Sequence, residues 1–209
     1  MERESDTQVL LSLARTGDLS AVNELLGRHR PRLRRMVASR IDSRLASRVD
    51  PSDVVQDVMV DAARRIDSYL ASGDTIFYVW LRQIAWDRLV DLYRAHIRAD
   101  KRSVLRECSL DGHLSGDSVL QLAHQLSMGD AGPATRVMQA ELKQRVIAAM
   151  EHLTDHDREI LALRHLEQLS VREIAETLSI SESAVTTRHL RAIQRLRALI
   201  AEADGGERA

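Results

Sequence analysis

Residues 169–196 read LSVREIAETLSISESAVTTRHLRAIQRL, and this stretch decides the fold of the C-terminal half. Ser170 and Glu173 have the spacing of a capping box, in which each side chain satisfies a backbone N–H at the start of a helix. Apolar residues recur at three- and four-residue intervals up to Leu178, and Ser181 stands where another helix begins. The pattern predicts a short helix, a tight turn and a longer helix. That arrangement is either a DNA-reading helix-turn-helix or a plain helical hairpin.

The longer helix has a polar outer face. If Val185 points inward, a rotation of about 100° per residue turns Ser183, Thr187, Arg191 and Gln194 outward, with Thr186 and Arg188 on the flanks. Small hydroxyls near the helix start suit base edges, and cations further along suit phosphates. A solvated surface helix has the same composition, so this face alone leaves both interpretations open.

A second helix-start signal lies at Asp50-Pro51-Ser52-Asp53. Asp is a good N-cap, Pro fits the first helical position, and an acid in the first turn suits the helix dipole. Apolar residues at helical spacing follow, and the sequence 71–74 ends the helix. Two helices are predicted upstream, with Pro31 expected to kink or restart the second of them.

The six aromatic residues of the chain all lie between Tyr69 and Tyr93, in and just before a predicted helix from about residue 75 to 95. Arginines interleave with them, and rings beside cations suit single-stranded nucleic acid, where bases stack and phosphates are held. The competing interpretation is that the rings fill a core. We expect that for Phe77 and Trp80, whereas Tyr78, Trp86 and the arginines are expected to be exposed.

Composition excludes several classes of protein. The chain has 209 residues, three prolines, 3% aromatic residues and a net charge of −1, which favours an all-α fold and argues against a generally basic nucleic-acid binder. A single cysteine excludes an internal disulfide and a cysteine-rich zinc site. No apolar run approaches the roughly 20 residues that span a bilayer, and the N-terminus does not resemble a signal peptide, so a cytoplasmic protein without membrane contact is expected.

Residues 103–135 are rich in Ser, Gly, Asp and His and predict a flexible linker with at most one marginal helix. The predicted architecture is therefore two small helical domains, 1–102 and 136–203, joined by that linker and followed by a tail, 204–209.

Three segments in this order, DVVQDVMVDAARRIDSY (53–69), FYVWLRQIAWDRLVDLYR (77–94) and the opening stretch, resemble the extracytoplasmic-function (ECF) sigma factors of the sigma-70 family. The first two resemble sigma domain 2 and the third resembles sigma domain 4. The resemblance implies promoter-directed transcription initiation with core RNA polymerase, no cofactor, and the polymerase β′ clamp helices, the β flap and promoter DNA as partners. Members of this family are commonly held by anti-sigma factors.

The resemblance also implies roles for individual positions. The implied core-polymerase contacts are Asp53, Val54, Val55, Gln56 and Asp57, whose acids equally suit a helix start. The loop 71–76 and the helix after it resemble the element that opens the −10 region and captures a flipped base. Its implied contacts are Tyr78, Arg82, Trp86, Asp87, Arg88 and Arg94. The implied −35 contacts are Ser183, Thr186, Thr187, Arg188, Arg191 and Arg195.

Four positions depart from the family pattern. Ser179 replaces a common turn glycine, and Thr186 replaces a basic residue, which predicts altered −35 contacts. His189 stands where an apolar residue is usual, and we expect it at the rim of the core without a ligand. Asp87 replaces a common asparagine, and because a carboxylate accepts but does not donate hydrogen bonds, a different captured base is expected.

Two rival classes remain. An enzyme is disfavoured, because the four-residue spacings Asp53/Asp57 and His152/His156 make at most half of a metal site and no phosphate loop or nucleophile motif is present. A DNA-binding regulator with a ligand-sensing or dimerising N-terminal domain is the more serious alternative. Such a regulator does not need the acidic helix followed by the aromatic-arginine helix. The sequence does not identify the promoter, the inducing signal, an anti-sigma factor, or a role for the linker and tail.

Overall fold

The structure is a computed structural model that describes residues 2–41, 48–99, 118, 122 and 136–206. Every regular element in these ranges is helical, which confirms the predicted all-α class. The elements are α1 Glu2–Arg15, α2 Leu19–Arg40, α3 Pro51–Ser72, α4 Phe77–Ala99, α5 Arg136–Glu151, α6 Asp155–Leu161, a π-helical turn Ala162–Leu166, α7 Val171–Leu178 and α8 Glu182–Gly206.

Local signals fix most helix boundaries. Asp50 caps α3 through a 2.7 Å bond from the Ser52 amide, which lowers the pKa of the Asp50 carboxyl. Gly73 ends the same helix in the left-handed conformation with φ 62°. The capping box of Ser170 and Glu173 is present, with both reciprocal bonds formed. These local predictions are confirmed.

Of the two outcomes expected at Pro31, a kink or a restart, helix α2 excludes the restart. The helix does not restart there but runs on through the proline to Arg40. Proline cannot bond the carbonyl of Gly27, one turn earlier, and both residues are exposed, so water can satisfy that carbonyl.

The chain forms two compact units, Met1–Val37 with Ala46–Lys101, and Ala38–Leu45 with Arg102–Ala209. In the first unit α4 packs on α3, and α1 also contacts α3. Its fully buried side chains include Leu25, Leu33, Met36, Val58, Leu81 and Leu89.

In the second unit α8 packs on α5, α6 and α7, and the π-turn contacts α6 and α7. Its core includes Ile160, Leu161, Leu163, Leu169, Ile174 and Val185. Most of the predicted linker lies outside the described residues. Ser118 and Leu122, which are described, are helical and buried, and the domain boundaries stay predictions.

The second unit contains a buried ion cluster around Arg40. The Arg40 guanidinium is bonded to Glu159 at 2.6 and 2.9 Å and to Glu167 at 2.7 and 3.0 Å. Burial alone would lower the pKa of Arg40, but the two carboxylates outweigh it and hold that pKa above its usual value. Nothing local in the sequence pairs these residues, which are more than a hundred positions apart.

Candidate nucleic-acid interface

The corner between α7 and α8 has the backbone of a helix-turn-helix. Ser179 ends α7 in the left-handed conformation with φ 52°, and the amide of Ile180 donates to the carbonyl of Ala175 at 2.9 Å. The Ser181 hydroxyl then accepts from the amide of Ala184 at 3.2 Å and caps α8. The turn therefore does tolerate serine where glycine is common, as expected.

The outer face of α8 carries the residues that the sequence singled out there. Val185, Ala192 and Leu196 are buried, so the helix presents the opposite side to solvent. All six implied −35 residues are exposed: Ser183, Thr186, Thr187, Arg188, Arg191 and Arg195.

Three of these six side chains have partners within the unit. The Ser183 hydroxyl lies 3.0 Å from the hydroxyl of Ser181. Arg195 forms an ion pair with Asp157 of α6. The Thr186 hydroxyl donates to the carbonyl of Glu182 at 3.1 Å, one turn back on its own helix. Thr186 is thus oriented along its own helix, and part of the Arg195 charge is compensated by Asp157.

His189 is half-buried and bonded across the unit. Its Nε2 atom lies 2.9 Å from Nε2 of His165 in the π-turn. Burial and the charges of His189 and Arg164 lower the pKa of His165 to about 4, and burial and Arg164 lower that of His189. The expected rim position of His189 is confirmed, but the sequence did not indicate the pairing.

The start of α3 presents an acidic and amide-bearing face. Asp53, Gln56 and Asp57 are exposed, whereas Val54 and Val55 are 2% and 1% exposed. Both valine side chains fill the core of the first unit, and their implied contact with polymerase stays a prediction. One turn beyond, Val60 is 47% exposed and extends the outer face, a position that sequence reasoning did not select.

Helix α4 buries two side chains that were expected to be exposed. Tyr78 is 1% exposed and Arg82 is 4% exposed, so the expectation that both are exposed is wrong, and their contact with DNA stays a prediction. The Arg32 guanidinium covers the Tyr78 ring at 3.7 Å, and the Arg82 guanidinium lies 5.3 Å from the Trp86 ring. Phe77 is buried as expected, while Trp80 is only half-buried.

The remaining implied −10 residues reach the surface of α4. Trp86 and Arg88 are half-buried, and Asp87 and Arg94 are exposed. Arg88 donates to the Asp57 carboxylate at 2.6 Å, and the Gln83 amide donates to the Asp87 carboxylate at 2.9 Å.

The loop before α4 is held at its base. The Tyr69 hydroxyl donates to the carbonyl of Thr75 at 2.8 Å, while residues 71–74 are exposed. The base of the loop is therefore fixed by Tyr69, while its tip faces solvent.

Within the described part of the chain, no group of three or more His, Cys, Asp or Glu side chains is placed to hold a metal ion. The spacings Asp53/Asp57 and His152/His156 thus gain no third ligand among these residues. Searched over the same residues, no helix combines the length and the apolar character needed to cross a membrane.

Comparison with known proteins adds an independent finding. The family model for sigma-70 region 2 matches residues 25–99, and the model for sigma-70 region 4 matches residues 143–196. The ECF RNA polymerase sigma-E factor of Escherichia coli (strain K12) is 29% identical over 192 residues, which cover 92% of this chain and 93% of that protein.

Two further similarities span almost the whole chain. The ECF RNA polymerase sigma-E factor of Haemophilus influenzae is 27% identical over 197 residues, covering 92% of this chain and 94% of that protein. The solved structure of CnrH in complex with the cytosolic domain of CnrY has a TM-score of 0.55 and 25% identity, and covers 94% of this chain and 98% of CnrH.

Proposed function

Because this chain belongs to the ECF sigma factors of the sigma-70 family, we propose that its two units divide promoter recognition between the faces described above. The chain directs core RNA polymerase to promoters and takes part in transcription initiation. The observation that carries the proposal is the exposed face of α8, where six polar side chains lie opposite a buried apolar stripe.

The first unit docks on core polymerase through the outer face of α3. Asp53, Gln56 and Asp57 supply carboxylate and amide groups that complement cationic clamp helices of β′, and Val60 adds apolar area one turn on. Val54 and Val55 contribute indirectly, by fixing which face of α3 points outward.

The same unit opens and reads the −10 region with the surface of α4. Trp86 offers a stacking face, Asp87 accepts hydrogen bonds from an unpaired base, and Arg88 and Arg94 hold phosphates. Tyr78 and Arg82 act from beneath, because Arg82 lies against Trp86 and Tyr78 is covered by Arg32.

The second unit reads the −35 duplex with α8. Ser183, Thr186 and Thr187 near the helix start face base edges, and Arg188 and Arg191 contact phosphates behind them. Arg195 contributes less charge to DNA because Asp157 neutralises it. The β flap of polymerase contacts this unit as well.

The same proposal divides the chain into two domains, a linker and a tail, with the boundaries 1–102, 103–135, 136–203 and 204–209. It also includes a cytoplasmic location, no catalytic activity and no cofactor. An anti-sigma factor is a proposed partner, since the similar protein CnrH has been solved in complex with a second protein, CnrY.

Run-off transcription with purified core polymerase tests the proposal against a stand-alone DNA-binding regulator. We expect initiation at defined start sites only when the chain and core are both present. A chain that binds a specific duplex tightly alone and never supports initiation contradicts the proposal.

A variant pair tests the docking face. Asp53→Ala with Asp57→Ala is expected to weaken core binding and to leave far-ultraviolet circular dichroism unchanged, because both side chains are exposed. Asp61→Ala with Asp67→Ala, on the same helix, is the matched control. Since Asp57 also holds Arg88, the single variants Asp53→Ala and Asp57→Ala are measured separately. Unchanged core affinity in the double variant would limit these acids to a role in the helix start.

A further inference from the structure

The contact between His165 and His189 is a directed hydrogen bond rather than ring stacking. The ring centroids are 5.1 Å apart and the planes are inclined by 25°, while the two Nε2 atoms are only 2.9 Å apart. The rings therefore lie end to end, with one Nε2–H donating to the lone pair of the other Nε2. Such a bond fixes both the distance between the two rings and their orientation, whereas an apolar contact at the same place does not fix the orientation.

The bond joins the π-turn to the DNA-facing helix. His189 follows Val185 by one turn and precedes Ala192 and Leu196 on the inner side of α8, so it substitutes an imidazole for a core side chain. The residue before it, Arg188, and the residue two positions after it, Arg191, are exposed. The rotation of α8 that His189 fixes is therefore the rotation that aims these two arginines.

The π-turn Ala162–Leu166 positions the side chain of His165. The amide of Glu167 donates to the carbonyl of Ala162 at 3.0 Å, which is the five-residue bond of a π-helix, and Gln168 then takes a positive φ of 58°. A π-turn contains an extra residue relative to an α-turn and is often found at functional positions. Leu163 and Leu166 remain buried while His165 reaches the rim toward α8.

We propose that His165 is a positioning residue for duplex reading: its hydrogen bond to His189 sets the rotation of α8 and so the aim of Arg188 and Arg191 at DNA. The inference rests on the proposed function of α8 in −35 recognition. Further along the helix, the ion pair between Arg195 and Asp157 ties α8 to α6. Along α8, Arg191 thus lies between the hydrogen bond of His189 and the ion pair of Arg195.

Burial, together with nearby charge, keeps both rings neutral near pH 7. Burial is the larger cause of the lowered pKa of both histidines, and the field of Arg164 adds to it. Arg164 itself donates to the carbonyl of Leu169 at 2.9 Å. The neighbouring elements carry further charged groups: Asp157, Arg158, Arg172, Glu173, Glu176, Arg188 and Arg191. Of these, Asp157 pairs with Arg195, Arg158 with Asp155, and Glu173 bonds Ser170.

The sign of the pH effect follows from these shifts. An unfolded histidine titrates near pH 6.5, whereas folded His165 titrates at about 4 and folded His189 below its usual value. The pair therefore stabilises the second unit above pH 6.5, and that stabilisation is lost as the pH falls from about 6.5 to about 4.

Phenylalanine substitutions separate hydrogen bonding from packing. His165→Phe and His189→Phe each keep a ring but leave one half-buried imidazole without its bond, and the double variant removes both polar groups. His165→Gln restores an amide donor, and His156→Phe, at an exposed histidine of the same unit, is the control. The full chain is assembled with core polymerase and assayed on a −35 duplex selected from random DNA by the wild-type holoenzyme.

Each single phenylalanine variant is expected to bind the selected duplex about 3- to 10-fold more weakly and to melt earlier than wild type. The double variant is expected to regain the melting temperature and to lose the drop in stability between pH 6.5 and 4, while its DNA affinity stays reduced. His165→Gln is expected to recover most of the DNA affinity.

Three outcomes would overturn this role. If DNA affinity rises and falls with melting temperature across all variants, the histidine pair stabilises the unit and does not position α8 for DNA. Wild-type DNA affinity in the double variant means that the hydrogen bond does not set the aim of the arginines. A loss of stability between pH 6.5 and 4 that persists in the double variant means that the two histidines do not cause it. Failure of the wild-type holoenzyme to select any duplex instead contradicts the proposed function of α8.

Discussion

Ser179 illustrates how one residue can carry a backbone cost at the corner of the reading unit. Its φ of 52° lies in the left-handed region, where an L-residue is disfavoured by roughly 1–2 kcal/mol because Cβ crowds the following carbonyl. Glycine adopts this conformation without that penalty and is common at this position of a helix end.

Ser179→Gly is therefore expected to stabilise the second unit by about 0.5–1 kcal/mol, after the larger entropy loss of glycine is subtracted. Thermal melting followed by circular dichroism measures this change. Ser179→Ala keeps the Cβ atom and serves as the control, for which no gain is expected. A lower melting temperature for the glycine variant than for the alanine variant would show that the entropy loss of glycine outweighs the relief of backbone strain.

Arg40 is the residue whose loss should cost the second unit most. Its side chain is fully buried between Glu159 and Glu167, and removal leaves two buried carboxylates without a cation. Breaking a buried pair by removing one partner typically costs about 3–5 kcal/mol.

Arg40→Met keeps an unbranched apolar stem and is expected to lower the free energy of unfolding by that amount, measured by urea denaturation. Arg35→Met, at an exposed position on the same helix, is expected to change it by less than about 0.5 kcal/mol. Equal effects of the two substitutions would mean that the cluster contributes no stability.

At the scale of single helices, the features that depend on neighbouring residues could be predicted from the sequence. The caps at Asp50 and Ser170 and the inward position of Val185 depend on residues within a turn or two, so spacing alone predicted them. On α3 the spacing placed Val54 on an apolar stripe, and it is buried there, whereas the expected exposure of Tyr78 on α4 was wrong because other parts of the unit cover its ring. Spacing cannot reveal partners that are distant in the chain.

The two polar networks of the second unit show the same limit. Arg40 meets Glu159 across 119 positions, and His165 meets His189 across 24. The sequence analysis predicted neither pairing. Ser179 was different, because the resemblance already placed it at a turn where glycine is common.

The arginines of α8 allow a test of phosphate contact at the scale of the helix. Arg191 is exposed, whereas Arg195 is paired with Asp157, so the two differ in how much charge they offer to DNA. A phosphate contact releases condensed counterions, and each lost contact reduces the slope of log K against log salt by about 1.

Arg191→Ala is expected to weaken holoenzyme binding to the −35 duplex and to reduce that slope by about 1. Arg195→Ala is expected to change the slope by clearly less, since a paired arginine displaces fewer counterions. Filter or fluorescence binding over a range of salt concentrations measures both. The reverse ranking of the two variants would place the phosphate contact at Arg195.

For the whole molecule, affinity for a promoter should come from two weak contacts acting together. The net charge of the chain is −1, so the chain as a whole gains little from a general attraction to DNA, and each unit offers a small set of proposed contacts. Two linked modules bind about 10²–10⁴-fold more tightly than one when both sites are within reach at once. We expect polymerase to set that reach by holding both units.

Changing the spacing between the −10 and −35 elements should therefore lower holoenzyme affinity as much as removing one of the two elements does. Inserting 5 base pairs turns the −35 element to the opposite side of the duplex, since a full turn needs about 10 base pairs. We expect holoenzyme affinity for the lengthened promoter to fall to that for a promoter with a scrambled −35 element, at least about 100-fold below the intact one. Competition binding on the three templates measures this. The prediction fails if the lengthened promoter keeps the affinity of the intact one while the scrambled −35 element still lowers it. The two units would then reach DNA independently, and polymerase would not fix the distance between them.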